Sequence, residues 1–135
     1  MLLRLDHVNL RTAQLERARA FYVDVLGLRV GPRPAFSFGG AWLYCGEVPV
    51  VHLVEVAEAP SPRGALQLEH FALRAEGLAD LLERLRKHDV TPRLGFVRDF
   101  GICQVNVFDP DGNHLHVDFD IAEATELGIV PAAPA

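Results

Sequence analysis

Apolar residues recur along this chain with two periods, and the switching between them predicts its elements. Residues 3–10 alternate with period two, which puts His7 and Asn9 on one face of a strand and Val8 and Leu10 on the other. Thr12 reads as a helix N-cap. Leu15, Ala18, Phe21, Tyr22, Val25 and Leu26 follow at three-and-four spacing, an amphipathic helix closed by Gly27. A strand begins over residues 28–30 and is broken by Gly31-Pro32-Arg33-Pro34. Residues 35–44 and 48–56 read as two more strands joined near Gly46-Glu47, and residues 59–64 form a Pro-containing linker.

After the linker the order repeats. Residues 68–73 echo residues 5–10, with acid-His-apolar-x-Leu in both copies. Leu78, Leu81, Leu82 and Leu85 predict a second amphipathic helix ending near His88-Asp89, and strands are expected over residues 90–94, 102–108 and 115–119. The copies divide the single domain of residues 1–135 into a first module, 3–58, and a second, 65–120. The tail, 121–135, holds a short helix over residues 122–127 and then a Pro/Ala-rich end.

Strand parity sorts the side chains further. Aliphatic and aromatic residues fall on one face, where a helix can cover them. The opposite faces present His7 and Asn9, His52, His70, and His116 with His114. The stretch Asp109-Pro110-Asp111-Gly112-Asn113 spells a tight turn that aims the last strand, on which His114, His116 and Asp118 oppose Leu115, Val117 and Phe119. Four inward histidines on four strands are a candidate metal-binding set, provided the helix-free faces meet. His114 sits one pleat from His116, about 6.5–7 Å away, and is a candidate substrate contact. Asn9, Gln104 and Asn106 are further candidates for hydrogen bonds to substrate, and Phe36, Phe38, Trp42 and Tyr44 could wall an apolar pocket or a dimer interface.

Composition narrows the partners. At 135 residues, half of them hydrophobic, the chain has enough material for one real core. A net charge of −5 with no basic stripe argues against nucleic acid. The opening residues are interrupted by charge too early for a signal peptide, and no apolar run reaches spanning length, so neither export nor a membrane is expected. Cys45 and Cys103, outside any Cys-x-x-Cys arrangement, fit reduced thiols and a cytoplasmic location.

Asp6-His7-Val8, Ala20-Phe21-Tyr22 leading to Leu26-Gly27-Leu28, Glu69-His70-Phe71-Ala72-Leu73 and Asp109-Pro110-Asp111-Gly112-Asn113, in that order, resemble the vicinal oxygen chelate superfamily from Leu5 to about Phe119. That superfamily includes glyoxalases, extradiol dioxygenases, fosfomycin-resistance thiol transferases and bleomycin-resistance proteins. The resemblance implies an α+β fold: two βαβββ modules forming a curved eight-stranded sheet around a metal-binding cleft, with helices on the outer face. It implies one divalent ion (Fe, Zn, Ni, Co or Mn) ligated by His7, His70 and His116, with His52 in the position of a further glyoxalase-type ligand. It also implies a small-molecule substrate and a homodimer that covers sheet edges or completes clefts.

Two positions depart from the pattern, since His52 and His116 stand where the family commonly has Glu. Two carboxylates would leave the ion nearly neutral, whereas four imidazoles leave its full charge and a stronger Lewis acid. A glyoxalase-type Glu also shuttles protons; a histidine can do so only when off the metal. The leading expectation is a glyoxalase-like lyase or isomerase, with an extradiol-type dioxygenase as alternative because a three-histidine site with open positions suits iron. A thiol transferase would need cations for a phosphonate, and Arg11 and Arg74 are the candidates. A metal-free, bleomycin-resistance-like binding protein is the reading from another class.

Overall fold

In the computed structural model, which describes residues 1–60 and 66–132, the strands and helices follow the order βαβββ twice. The expected linker falls largely outside the described residues, as does the end of the Pro/Ala-rich tail. The chain divides into two compact units, Met1–Gly64 with Asp109–Asp111, and Ala65–Phe108 with Gly112–Ala135.

In the first unit β1 (Val8–Thr12), β2 (Arg29–Gly31), β3 (Gly40–Cys45) and β4 (Val48–Glu55) form a four-stranded sheet in the order β1-β4-β3-β2. β1 runs parallel to β4, and the other pairings are antiparallel. Leu10, Thr12, Ala41, Leu43, Val51 and Leu53 are buried on one face, and the helix packs against β3 and β4. That helix, α1 (Leu15–Ala20), continues into a π-helical turn over Phe21–Val25. The wide turn, in which the Leu26 amide bonds to the Phe21 carbonyl at 3.2 Å, buries Phe21, Tyr22 and Val25 together with Ala18. Gly27 ends it at φ 83°, where a side chain would be strained.

Three sequence expectations need correction here. Thr12 is not the N-cap. It is a buried strand residue whose hydroxyl accepts from the Gln14 amide at 3.1 Å, and Gln14 occupies the cap position. The first strand starts at Val8 rather than residue 3, because Val8 pairs with Val51 and the ladder then meets Pro49, which has no N–H to give. β3 starts at Gly40 rather than residue 35, since Phe36 and Phe38 lie beyond the last residue of β4 that could pair with them.

The Asp109-Pro110-Asp111 turn groups with this first unit. The Tyr22 hydroxyl donates to Asp109 at 2.7 Å. The Gln14 amide donates to the Pro110 carbonyl at 3.0 Å and to Asp111 at 2.8 Å. Two of the motifs singled out above therefore bond to each other, and their role is structural. Burial, followed by the Asp109 charge, drives the Tyr22 phenol far above its ordinary value.

The second unit holds β5 (Phe71–Arg74), β6 (Arg93–Val97), β7 (Ile102–Phe108) and β8 (His114–Asp120) in the order β5-β8-β7-β6, with β5 parallel to β8. α2 (Leu78–Lys87) buries Leu78, Leu81 and Leu85. Its first amides are capped from α3 (Ile121–Glu126) by Glu123, which accepts from Leu78 at 2.6 Å and Gly77 at 2.9 Å. Two further expectations shift. β5 begins at Phe71, not residue 68, because its partner β8 begins at His114. β6 begins at Arg93, not residue 90, because the Val90 amide is spent on the Leu85 carbonyl at the end of α2 and Pro92 follows. A 3-10 turn over Arg98–Phe100, between β6 and β7, was not foreseen.

Candidate metal centre

In the second unit the histidines gather on the helix-free face. His70 precedes β5 by one residue, and His114 and His116 alternate along β8. The His70 and His116 rings lie 4.5 Å apart at an interplanar angle of 42°, and His114 lies 5.3 Å from His70 and 6.3 Å from His116. His116 is 6% exposed, and its Nδ1 bonds to Asp118 at 2.5 Å. His70 bonds through Nδ1 to the preceding Glu69, whose other oxygen accepts from His114 Nδ1 at 3.0 Å. Hydrogen bonds from His70 and then His114 hold the Glu69 carboxyl below the ordinary carboxylate range.

In the first unit His7 precedes β1 by one residue and bonds through Nδ1 to Asp6 at 2.7 Å, which lowers the Asp6 carboxyl. His52, on β4, is sandwiched. Its ring stacks on His7 at 3.8 Å and 9° and on Trp42 at 4.0 Å and 15°. The sandwich explains how a residue on the helix-free face becomes buried. Burial, followed by the neighbouring His7, lowers the tendency of His52 to take up a proton, and its Nε2 bonds to the Pro49 carbonyl at 3.0 Å.

Register relates the two sets. Asn9 lies opposite His52, and Ala72 lies opposite His116; Asn9 and Ala72 each stand two residues after the histidine that precedes the edge strand. On the other side Trp42 lies opposite His52 and Asn106 opposite His116. His52 is therefore the repeat equivalent of His116, although parity was all that placed it in the sequence.

The donor chemistry fits a divalent ion in three of the four. His7, His70 and His116 each have Nδ1 engaged by a carboxylate. That partner fixes the proton on Nδ1 and leaves Nε2 as a neutral donor, the arrangement that orients metal-ligating imidazoles. His52 differs, because its Nε2 is engaged and only Nδ1 is left. A metal lies in the plane of each imidazole that binds it, so two parallel stacked rings do not bind one ion together. His52 and His7 become co-ligands only after one ring turns. Glu69, His70 and His114 also bring donor atoms within 4.8 Å of one another. In that trio, however, Glu69 already accepts from both rings, and both nitrogens of His114 are engaged.

The substrate candidates divide as well. Asn106 is occupied: its amide nitrogen donates to the Arg93 carbonyl at 3.2 Å, and its oxygen meets His114 Nε2 at 2.9 Å. His114 is thereby engaged at both nitrogens. Among the described residues the side chains of Gln104 and Asn9 have no such bonds, and they face the same sides as His116 and His52. Beside Gln104 stands Gly95, where an added Cβ would come within 3.2 Å of the Gln104 oxygen. Phe36 and Phe38 stack on each other at 4.8 Å, outside any strand, with the Arg33 guanidinium over both rings. The sequence reading placed Asp118 on the face of His114 and His116 and noted the acid before His7 and His70, but gave none of these carboxylates an orienting role. The signal was there, in the acid that precedes the histidine in both copies.

Residues 4–117 match the family model of the Glyoxalase/Bleomycin resistance protein/Dioxygenase superfamily. The chain belongs to this superfamily. It is 31% identical over 134 residues to a lactoylglutathione lyase of Salmonella typhimurium, covering 93% of this chain and 96% of that one. It is 29% identical over 120 residues to a manganese-dependent 2,3-dihydroxybiphenyl 1,2-dioxygenase of Geobacillus genomosp. 3, covering 82% of this chain and 37% of that one. A solved glyoxylase/bleomycin resistance protein/dioxygenase domain from Frankia sp. EAN1pec superposes with a TM-score of 0.73 at 18% identity, over 89% of this chain and 99% of that one, and shares the fold. Among the described residues no helix is long and apolar enough to cross a membrane.

Proposed function

We propose that this superfamily member is a metal-dependent lyase or isomerase of the glyoxalase type, acting on a small substrate through two neighbouring oxygens. The observation that carries the reading is the shared state of His7, His70 and His116, each with Nδ1 bonded to a carboxylate and, among the described residues, no hydrogen bond at Nε2. In this reading those nitrogens are the metal donors of their units, and a divalent ion bound by them would supply Lewis-acid polarisation of chelated oxygens. Asn9 and Gln104 orient the substrate by hydrogen bonds. His52 accepts and returns the proton at Nδ1, the role a carboxylate at its position would fill. Its neutrality and its Nε2–H bond to Pro49 suit it to that role.

A dioxygenase is the second reading, favoured by an all-histidine set that leaves coordination positions open and by the similarity to the manganese-dependent enzyme. Metal analysis of protein purified without an affinity tag, for wild type and His70→Ala, tests both. About one equivalent of ion per chain, lost in the variant, is expected. Formation of lactoylglutathione from methylglyoxal and glutathione then supports the first reading, and dioxygen uptake with 2,3-dihydroxybiphenyl the second. No bound ion in wild type after incubation with divalent metals overturns both and leaves a ligand-binding protein.

A further inference from the structure

We propose that His114 and Asn106, which sequence reasoning had offered to the substrate, are positioning residues for His70. The two act through Glu69, and the inference rests on the reading of His70 as a metal ligand. A continuous chain of hydrogen bonds runs across the second sheet. The Arg93 carbonyl accepts from the Asn106 amide nitrogen at 3.2 Å, which turns the Asn106 oxygen toward His114. That oxygen lies 2.9 Å from His114 Nε2; His114 Nδ1 donates to Glu69 at 3.0 Å; and the second Glu69 oxygen accepts a hydrogen bond from the Nδ1–H of His70. Glu69 only accepts, so the N–H that His114 gives it is carried on Nδ1.

The need for such a chain lies in where Glu69 sits. It precedes β5, outside any ladder, and its side chain is 69% exposed. Among the described residues its hydrogen bonds are those to His70 and His114, and a solvated glutamate loses rotamer freedom when fixed. His114 is the opposite, 14% exposed and stacked under Phe108 at 5.1 Å. A rigid imidazole thus clamps a mobile carboxylate, and the carboxylate sets which nitrogen of His70 carries the proton. His116 needs no such aid, because Asp118 lies on its own strand, two residues away.

The test is a double-mutant cycle on metal affinity, read by competition with a chromophoric chelator for zinc or cobalt. Glu69→Ala and His114→Phe are each expected to weaken binding, by about tenfold and by up to about tenfold. The double variant should be no weaker than Glu69→Ala alone, because His114 has then lost its intermediary. His114→Gln, which keeps one N–H donor for Glu69, should fall between wild type and His114→Phe, and stands in for the Phe variant if that does not fold. Nitrogen NMR of the metal-free protein gives a second reading. The Nδ1–H tautomer of His70 should dominate in wild type and lose ground in Glu69→Ala and in either His114 variant. Additive losses, or an unchanged affinity and tautomer in the His114 variants while His70→Ala abolishes binding, overturn the clamp and leave the metal reading intact. A wild type that binds no metal overturns that reading instead, and the tautomer measurement still decides whether His114 orients His70.

Discussion

Replacing Tyr22 by Phe isolates one bond with little change of shape. Tyr22 is 0% exposed and Asp109 5%, and the phenol donates to the carboxylate at 2.7 Å. Phe fills the same space, so no cavity forms and the cost is that of a buried hydrogen bond to a charged acceptor, about 1.5–3 kcal/mol. For a chain of this length that corresponds to a fall in Tm of roughly 5–15 °C. The pH dependence separates this cause from a packing defect. The folded protein raises the Tyr22 pKa above its ordinary value of 10.0, so the stabilisation is fully present below pH 10 and is lost as pH rises from there, when the unfolded chain ionises and the folded one does not. One unit above that value wild type loses about 1.4 kcal/mol that the variant does not. Guanidinium unfolding of both proteins at pH 8 and pH 11 should therefore show the gap shrinking by that amount. Other alkaline titrations, the burial-raised Cys103 among them, are common to both proteins and cancel in the difference. A gap of the same size at both pH values, or no gap at pH 8, would refute the reasoning.

Two further outcomes follow from single contacts. Asp118→Ala removes the acceptor at 2.5 Å that fixes His116, and metal affinity measured by chelator competition should fall about 10- to 100-fold; an unchanged value would mean His116 is not a ligand. Gly27→Ala forces a side chain to φ 83° at the end of the π turn, and urea unfolding should show a loss of about 1–2 kcal/mol.

Much of this architecture was legible because pattern and pairing agreed. β7 was expected over the residues it occupies, its alternation matched on both sides by partners. Residues 3–7 alternate just as well yet form no strand, because alternation describes faces while a ladder also needs a donor opposite, and Pro49 ends the supply. The helix followed by Gly27 was expected as one α-helix. Its π turn buries Phe21 and Tyr22 side by side, which spacing does not reveal. At the candidate centre, parity placed all four histidines on helix-free faces. It said nothing of ring orientation, and that is what distinguishes His52, stacked between His7 and Trp42, from His116. Nor did parity tell Asn106 and His114, spent on each other, from Gln104. Those assignments depend on which side chains meet across strands, information that register holds and composition does not.

The parallel pairing of each edge strand has a kinetic consequence. β3 with β4, and β7 with β8, are close in the chain and close short loops, whereas β1 must reach β4, and β5 must reach β8, across more than forty residues and an intervening helix. Contacts of that separation pay their loop entropy before any reward and form late. His7 meets His52, and His70 meets His116, only once the edge strand has docked. Each histidine pair therefore depends on the strand pairing of longest sequence separation in its module.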